Sequence, residues 1–334
     1  MLRILKYIIP AIQYAVPIAL SAGIVTLLIV AARADERREA ELALKNMPQE
    51  SAIATTTVPS PFSDLALDAR AAIVWDIALS RPLYSRNADA QLPLASLTKL
   101  MTALVAHERL SPPVTLTIAP SALSPEGDNG LQAGEEWRLR DLIGFTLVVS
   151  SNDGARALAA AAGFGGKTSE IASFSEALET FVAAMNERAG ELGLTQTYFL
   201  NESGLDASEA VSGGYGSAHD VAWLLDEALG EIPDELEMTR TEALAVRSLS
   251  GVVHDAENTN EATNRIPALI GGKTGYTDLA GGNLAIVFDA GLARPIAIVV
   301  LGSTQAGRFS DVERLVWATL EYLAICSKEK VLCI

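Results

Sequence analysis

The chain has 334 residues, 49% of them apolar and 20% charged, enough for one large folded domain or two small ones. Its formal net charge of -16 argues against phosphate-backbone binding, which needs clustered Lys and Arg, so no nucleic-acid partner is expected. The only cysteines, Cys326 and Cys333, have no metal-ligand spacing; they pair if the domain lies outside the cytoplasm and are otherwise buried thiols.

Residues 8–32 carry no charged side chain. As a helix this run would measure roughly 37 Å, enough to cross a bilayer core of about 30 Å. It is longer than a signal-peptide core, which favours an uncleaved membrane anchor over residues 1–33. Ala32-Arg33-Ala34 also has the small-x-small form of a cleavage site, so a secreted form cut after Ala34 stays open. Arg3 and Lys6 place the N-terminus inside, although Arg33, Arg37 and Arg38 follow the segment. The expected arrangement is a single-pass membrane protein with its domain on the extracytoplasmic side. Residues 34–63 read as a charged juxtamembrane stretch followed, from Met47 to Ser63, by a loose Ser/Thr/Pro tether. The folded domain is expected over residues 64–334.

Ala71–Asp76 is rich in strand formers, and Arg81–Ser85 follows after a polar turn, so the two read as a hairpin. A helix is expected from Ser96, beyond Pro93, with Leu97, Leu100, Met101, Leu104 and Val105 apolar. Positions three apart share a helical face, so Ser96 and Lys99 are neighbours at the positive end of this helix. One reading of Lys99 is a snorkelling lysine that hides its stem and exposes its ammonium. The other is a nucleophile and base pair, in which burial lowers the lysine pKa until a neutral amine can take the serine proton.

Trp137–Val149 has helical spacing and ends in Ser150-Ser151-Asn152-Asp153-Gly154, where a second helix begins. This is either an ordinary helix corner capped by Asn152 or Asp153, or a site mouth. In the second case the Ser150 hydroxyl relays a proton and the Asn152 amide holds a peptide-like group. Helices are also expected over Phe181–Leu194 and Ser217–Leu229, with Ser217 as the cap, and a turn over Asn201–Leu205. Residues 233–263 carry no clear pattern. His107, His219 and His254 share no metal spacing, and no metal site is expected; His254 reads as a loop residue near the site.

Gly272-Lys273-Thr274 is not a phosphate loop, because Pro267 stands where that motif needs glycine and a strand rather than a helix follows. The alternative is an edge strand beside a substrate. Lys273 supplies positive charge, Thr274 a hydroxyl, and Gly275 the close approach of another backbone. Asn283–Phe288 and Ala293–Leu301 complete an antiparallel meander, and Asp311–Ile325 closes the chain as a helix. The whole is an α+β arrangement, an antiparallel sheet flanked by helices plus a helical lobe.

Ser96-Leu97-Thr98-Lys99, Ser150-Ser151-Asn152 and Lys273-Thr274-Gly275 occur in this order, the combination found in penicillin-binding proteins and class A β-lactamases. With Leu94–Leu104, Phe181–Asn186, Asn258-Thr259-Asn260 and Gly272–Thr277, the chain resembles the D-alanyl-D-alanine carboxypeptidase family from about Ala71 to about Leu320. These are low-molecular-mass penicillin-binding proteins that act on peptidoglycan stem peptides at the bacterial cell membrane. Gly154 replaces the family's usual alanine, which reads as a minor change.

The resemblance implies a serine β-lactamase/penicillin-binding-protein-like fold and acyl transfer through a serine ester, without cofactor or metal. Ser96 would be the nucleophile, Lys99 its base and Ser150 the proton relay. Asn152 would orient the peptide, with holding Lys99 as a further role. Lys273 and Thr274 would receive the terminal carboxylate beside Gly275, and the backbone N–H groups of Ser96 and Tyr276 would form the oxyanion hole. β-Lactams would acylate Ser96 as covalent inhibitors. A β-lactamase is the nearest alternative, but no Glu-x-x-Leu-Asn segment follows Asn152. A DD-endopeptidase or transpeptidase differs only in the bond cut or the acceptor. A catalytically idle, membrane-anchored wall-binding protein is disfavoured because every reactive position is filled.

Overall fold

The computed structural model describes residues 60–111, 113–123, 130–164 and 174–329. The anchor and tether expected up to residue 59, and Cys333, lie outside the described residues; Cys326 is disulfide-bonded. The chain opens with strands β1 (Ala71–Asp76), β2 (Arg81–Arg86) and β3 (Leu92–Pro93), then a 3-10 turn over Ala95–Leu97 and helix α1 (Thr98–Leu110). The pair β4 (Thr115–Thr117) and β5 (Glu136–Arg138) leads into helices α2 (Leu139–Val148), α3 (Asn152–Gly163) and α4 (Phe174–Glu191). Strands β6 (Tyr198–Phe199) and β7 (Gly214–Gly216) precede α5 (Ala218–Glu231), the short α6 (Pro233–Glu237) and the hairpin β8 (Ala243–Arg247) and β9 (Val253–Glu257). The chain returns through β10 (Leu269–Thr277), β11 (Gly281–Asp289), β12 (Pro295–Ser303) and helix α7 (Gly307–Glu329).

The main sheet has the order β10-β11-β12-β1-β2, antiparallel throughout. Alternate residues of its strands enter two separate cores, as the period of two requires. Ile73 and Trp75 pack toward the helical lobe, while Ala72 and Val74 pack with Phe309, Val312 and Leu315 of α7. Helix α1 runs through the centre of the lobe, with every residue from Thr98 to Ala106 buried. The nucleophile motif therefore begins at the seam where lobe and sheet meet.

The structure moves several expected boundaries. Trp137 belongs to β5, because Leu116↔Trp137 pairing takes it out of the helix that starts at Leu139. Ser151, rather than Asn152 or Asp153, caps α3, its Oγ accepting from Gly154 N at 2.9 Å. Ser217 caps α5 as expected, accepting from Asp220 N at 3.0 Å. The featureless stretch 233–263 holds α6 and the β8–β9 hairpin. Its alternation is hidden because one inward position of β9 is His254. That histidine is a buried core residue, with Nε2 at 2.6 Å from the buried Glu135 carboxylate and its ring against Trp137 and Phe145.

Candidate active site

Ala95 precedes the candidate nucleophile with φ 49°, in the left-handed region that a residue with a Cβ rarely adopts. Ser96 lies in the 3-10 turn just ahead of α1, which starts at Thr98 rather than at Ser96 as expected, half-buried and one turn from Lys99. Lys99 Nζ lies 2.8 Å from Ser96 Oγ, 2.8 Å from Asn152 Oδ1 and 2.8 Å from the Ser203 carbonyl. Burial pushes the pKa of its ammonium down to about 7, and the Glu202 carboxylate opposes that shift. This is not a snorkelling lysine: its head is as buried as its stem.

The three partners decide what a neutral Lys99 does. A neutral amine donates two hydrogens and accepts one. The Asn152 oxygen and the Ser203 carbonyl can only accept, so they take both N–H groups. The remaining lone pair faces Ser96 Oγ, the only partner with a proton to give. Chemically, such an arrangement can activate a serine, with the amine placed to act as its base.

Helix α2 ends at Val148, and two residues on Ser150, with φ of 60°, turns the chain sharply into α3. That reversal places Asn152 in the first turn of α3, where its side chain reaches Lys99. Ser150 lies two residues away, half-buried, within about 7 Å of Asn152 along the backbone.

The third motif lies on β10, an edge strand of the main sheet. Its Gly275 packs on the nucleophile turn: a Cβ there would lie 2.9 Å from the Leu94 carbonyl oxygen and 3.2 Å from Ser96 N. The backbone that glycine admits is thus the chain's own. Lys273 is buried and donates to the Thr274 carbonyl at 2.9 Å. Burial, then Lys99, then Arg308 hold its ammonium well below the usual lysine range. The Thr274 hydroxyl lies 2.5 Å from that of Thr259. Tyr276, next along, is 44% exposed. All eight predicted residues therefore lie on three segments that converge: Ser96 and Lys99, Ser150 and Asn152, and Lys273–Tyr276.

Sequence reasoning passed over two contributors. The Ser203 carbonyl anchors Lys99, and no side-chain pattern announces a backbone acceptor. Arg308, at the start of α7, donates to the Gly275 carbonyl at 2.8 Å and adds positive charge beside Lys273. A cation in the first turn of a helix runs against the dipole, and that was a readable signal.

The D-alanyl-D-alanine carboxypeptidase family, peptidase S11, matches residues 54–305. The D-alanyl-D-alanine carboxypeptidase DacF of Bacillus subtilis is 31% identical over 259 residues, covering 76% of this chain and 62% of the relative. The chain thus spans less than two thirds of that relative's length. Penicillin-binding protein D2 from Listeria monocytogenes, in its ampicillin-bound form, superposes with a TM-score of 0.63 at 29% identity, covering 76% of this chain and 98% of that one. The D-alanyl-D-alanine carboxypeptidase from Mycobacterium tuberculosis H37Rv gives a TM-score of 0.67 at 27% identity, covering 80% of this chain and 95% of that one. The fold is that of the penicillin-binding proteins, and the chain belongs to the D-alanyl-D-alanine carboxypeptidase family.

Proposed function

We propose that this chain is a serine-type D-alanyl-D-alanine carboxypeptidase that removes the terminal D-alanine from peptidoglycan stem peptides. The observation that carries this reading is the buried Lys99, whose Nζ lies 2.8 Å from Ser96 Oγ, from Asn152 Oδ1 and from the Ser203 carbonyl, so that the neutral amine can turn its lone pair to Ser96. Ser96 Oγ attacks the carbonyl carbon between the two D-alanines as Lys99 takes its proton. The C–N bond then breaks, the proton passes through Ser150 to the leaving amine, and D-alanine departs. Water attacks the ester, Lys99 again takes a proton, and the shortened peptide leaves as Ser96 is restored.

Asn152 orients the peptide. Lys273 and Thr274 receive the terminal carboxylate, in a field that Arg308 strengthens. The N–H groups of Ser96 and Tyr276 hold the oxyanion, a role supported by the packing of Gly275 on Ser96 N; such donors are worth about 3 kcal/mol at the transition state. β-Lactams enter as substrate mimics and acylate Ser96.

The protein works at the extracytoplasmic face of the bacterial cell membrane, held by its N-terminal segment. The support is the uncharged run at residues 8–32; among the described residues no helix is long and apolar enough to cross a membrane.

The test incubates the full-length chain and its Ser96→Ala variant with fluorescent penicillin and follows intact mass, then assays D-alanine release from a stem pentapeptide. A persistent adduct on the wild type alone, with D-alanine release, supports the carboxypeptidase. An adduct that clears within seconds supports the β-lactamase alternative, and no adduct on folded protein overturns acyl transfer.

A further inference from the structure

The segment Asn201–Asp206 touches both walls of the candidate site. On one side its Ser203 carbonyl accepts from Lys99 at 2.8 Å. Its Gly204, with φ 79°, lies so close to the nucleophile turn that a Cβ would meet the Ala95 carbonyl oxygen at 1.9 Å. On the other side the Asp206 carboxylate accepts from Thr277 Oγ1 at 3.0 Å and from Leu279 N at 3.4 Å. Thr277 follows Tyr276 on β10, and its hydroxyl also accepts from Ala280 N at 3.2 Å across the turn into β11.

The segment is braced internally. Asn201 Oδ1 accepts from Gly204 N at 2.7 Å and Ser203 N at 3.2 Å, while Asn201 Nδ2 donates to the Leu205 carbonyl at 2.9 Å. A braced segment moves as a unit, so the pull of Asp206 on Thr277 and the grip of Ser203 on Lys99 are mechanically joined. Lys99 sits on α1 in the lobe and Tyr276 on the sheet edge; Asn201–Asp206 spans the two.

We infer that Asp206 is a positioning residue: through Thr277 it fixes the Tyr276 end of β10 against Ser96 and Lys99. The inference rests on the acyl-transfer reading above. It assigns Asp206 no contact with substrate. A displacement of about 1 Å in a reacting group costs up to about 100-fold in rate, so a lost anchor shows in chemistry before it shows in binding.

The test uses the full-length chain with Asp206→Ala, Asp206→Asn, Thr277→Val and the Asp206→Ala/Thr277→Val double variant. Each is measured for acylation by fluorescent penicillin, for kcat and KM of D-alanine release, and for thermal midpoint. Asp206→Ala and Thr277→Val are each expected to slow acylation and lower kcat about 10-fold to 100-fold, with KM within about threefold. The double variant should be no slower than the worse single, and Asp206→Asn, which keeps an acceptor for Thr277, should stay within about fivefold of wild type. A loop staple without influence on the site would lower the thermal midpoint and leave kcat alone; that result overturns the inference. So does a double variant whose loss is the product of the two singles. Should Asp206→Ala not fold, Thr277→Val decides, because it is nearly isosteric and suits a strand. A wild type that forms no Ser96 adduct overturns acyl transfer together with this inference, whereas a wild type that is acylated no faster than its Asp206 variants sinks the inference alone.

Discussion

At Lys99 the hydrogen-bond partners, rather than burial alone, set the direction of the lone pair. Lys99 loses its proton as pH rises through about 7. Its neutral fraction, and with it acylation of Ser96, should climb from the acid side and level off above that pH. Stopped-flow acylation across the pH range checks this, and a profile flat through neutrality would contradict it. Lys99→Ala should slow acylation at least about 100-fold and remove the pH step. The same shift has a stability sign. The unfolded chain holds this proton up to the ordinary lysine range, so stability gains as pH rises between about 7 and 10.5. Ser150 carries a different cost, a left-handed backbone at a residue with a Cβ. Ser150→Gly should raise stability by up to about 1 kcal/mol while slowing acylation. A thermal melt beside an acylation assay separates the two effects, and a variant that gains stability and keeps full activity would remove the relay role.

At the scale of elements, the corner between α2 and α3 is packed to a side chain on each. Gly154 is more than a minor departure from the family's alanine: a Cβ there would lie 2.2 Å from Thr146 Oγ1 and 3.2 Å from the Ser151 capping hydroxyl. Thr146 Oγ1 is itself buried with no hydrogen-bond partner among the described residues. The two positions compensate, one small because the other is large. Gly154→Ala should cost about 1–3 kcal/mol. The Thr146→Ala/Gly154→Ala double variant should recover most of that loss relative to Thr146→Ala alone, and additive losses in urea titrations would refute the coupling. The corner matters to function because Asn152 is the first residue of α3, and its reach to Lys99 depends on how tightly the corner closes.

Across the whole molecule, the site lies where the edge of the main sheet meets the helical lobe, and Asn283 of β11 ties the two. Its buried Nδ2 donates to the Pro93 and Leu94 carbonyls, each at 3.0 Å, and its Oδ1 accepts from Gly302 N at 2.8 Å. Leu94 leads into the turn that carries Ser96. Asn283→Ala removes the bonds to both carbonyls and to Gly302 N, although the Leu94 carbonyl still accepts from Leu97 N at 3.2 Å, and should cost about 1–3 kcal/mol. Because the nucleophile turn loses its anchor, acylation of the still-folded fraction should slow as well. An unchanged rate would show that Gly275 and Gly204 packing holds the turn unaided.

Local chemistry is written in neighbouring residues. Ser96 and Lys99 are three residues apart across the 3-10 turn that runs into α1, so their meeting follows from local helical geometry alone. Strands β1, β10, β11 and β12 and helices α1 and α5 were legible for the same reason, that a strong apolar period or a cap at the end is written in adjacent residues. His254 broke the period of β9, and Trp137 looked helical until pairing with Leu116 claimed it. The motifs named Asn152 and β10 as parts of the site, but packing across the fold set how they meet Lys99 and added groups that no motif names. Asn152, Ser203 and Arg308 reach Lys99 and β10 from separate elements, and the grip of Ser203 comes from a backbone carbonyl that every residue possesses. A contact made across the fold by a group with no side-chain identity has no pattern in the chain, and it becomes visible only when packing brings it within hydrogen-bond distance.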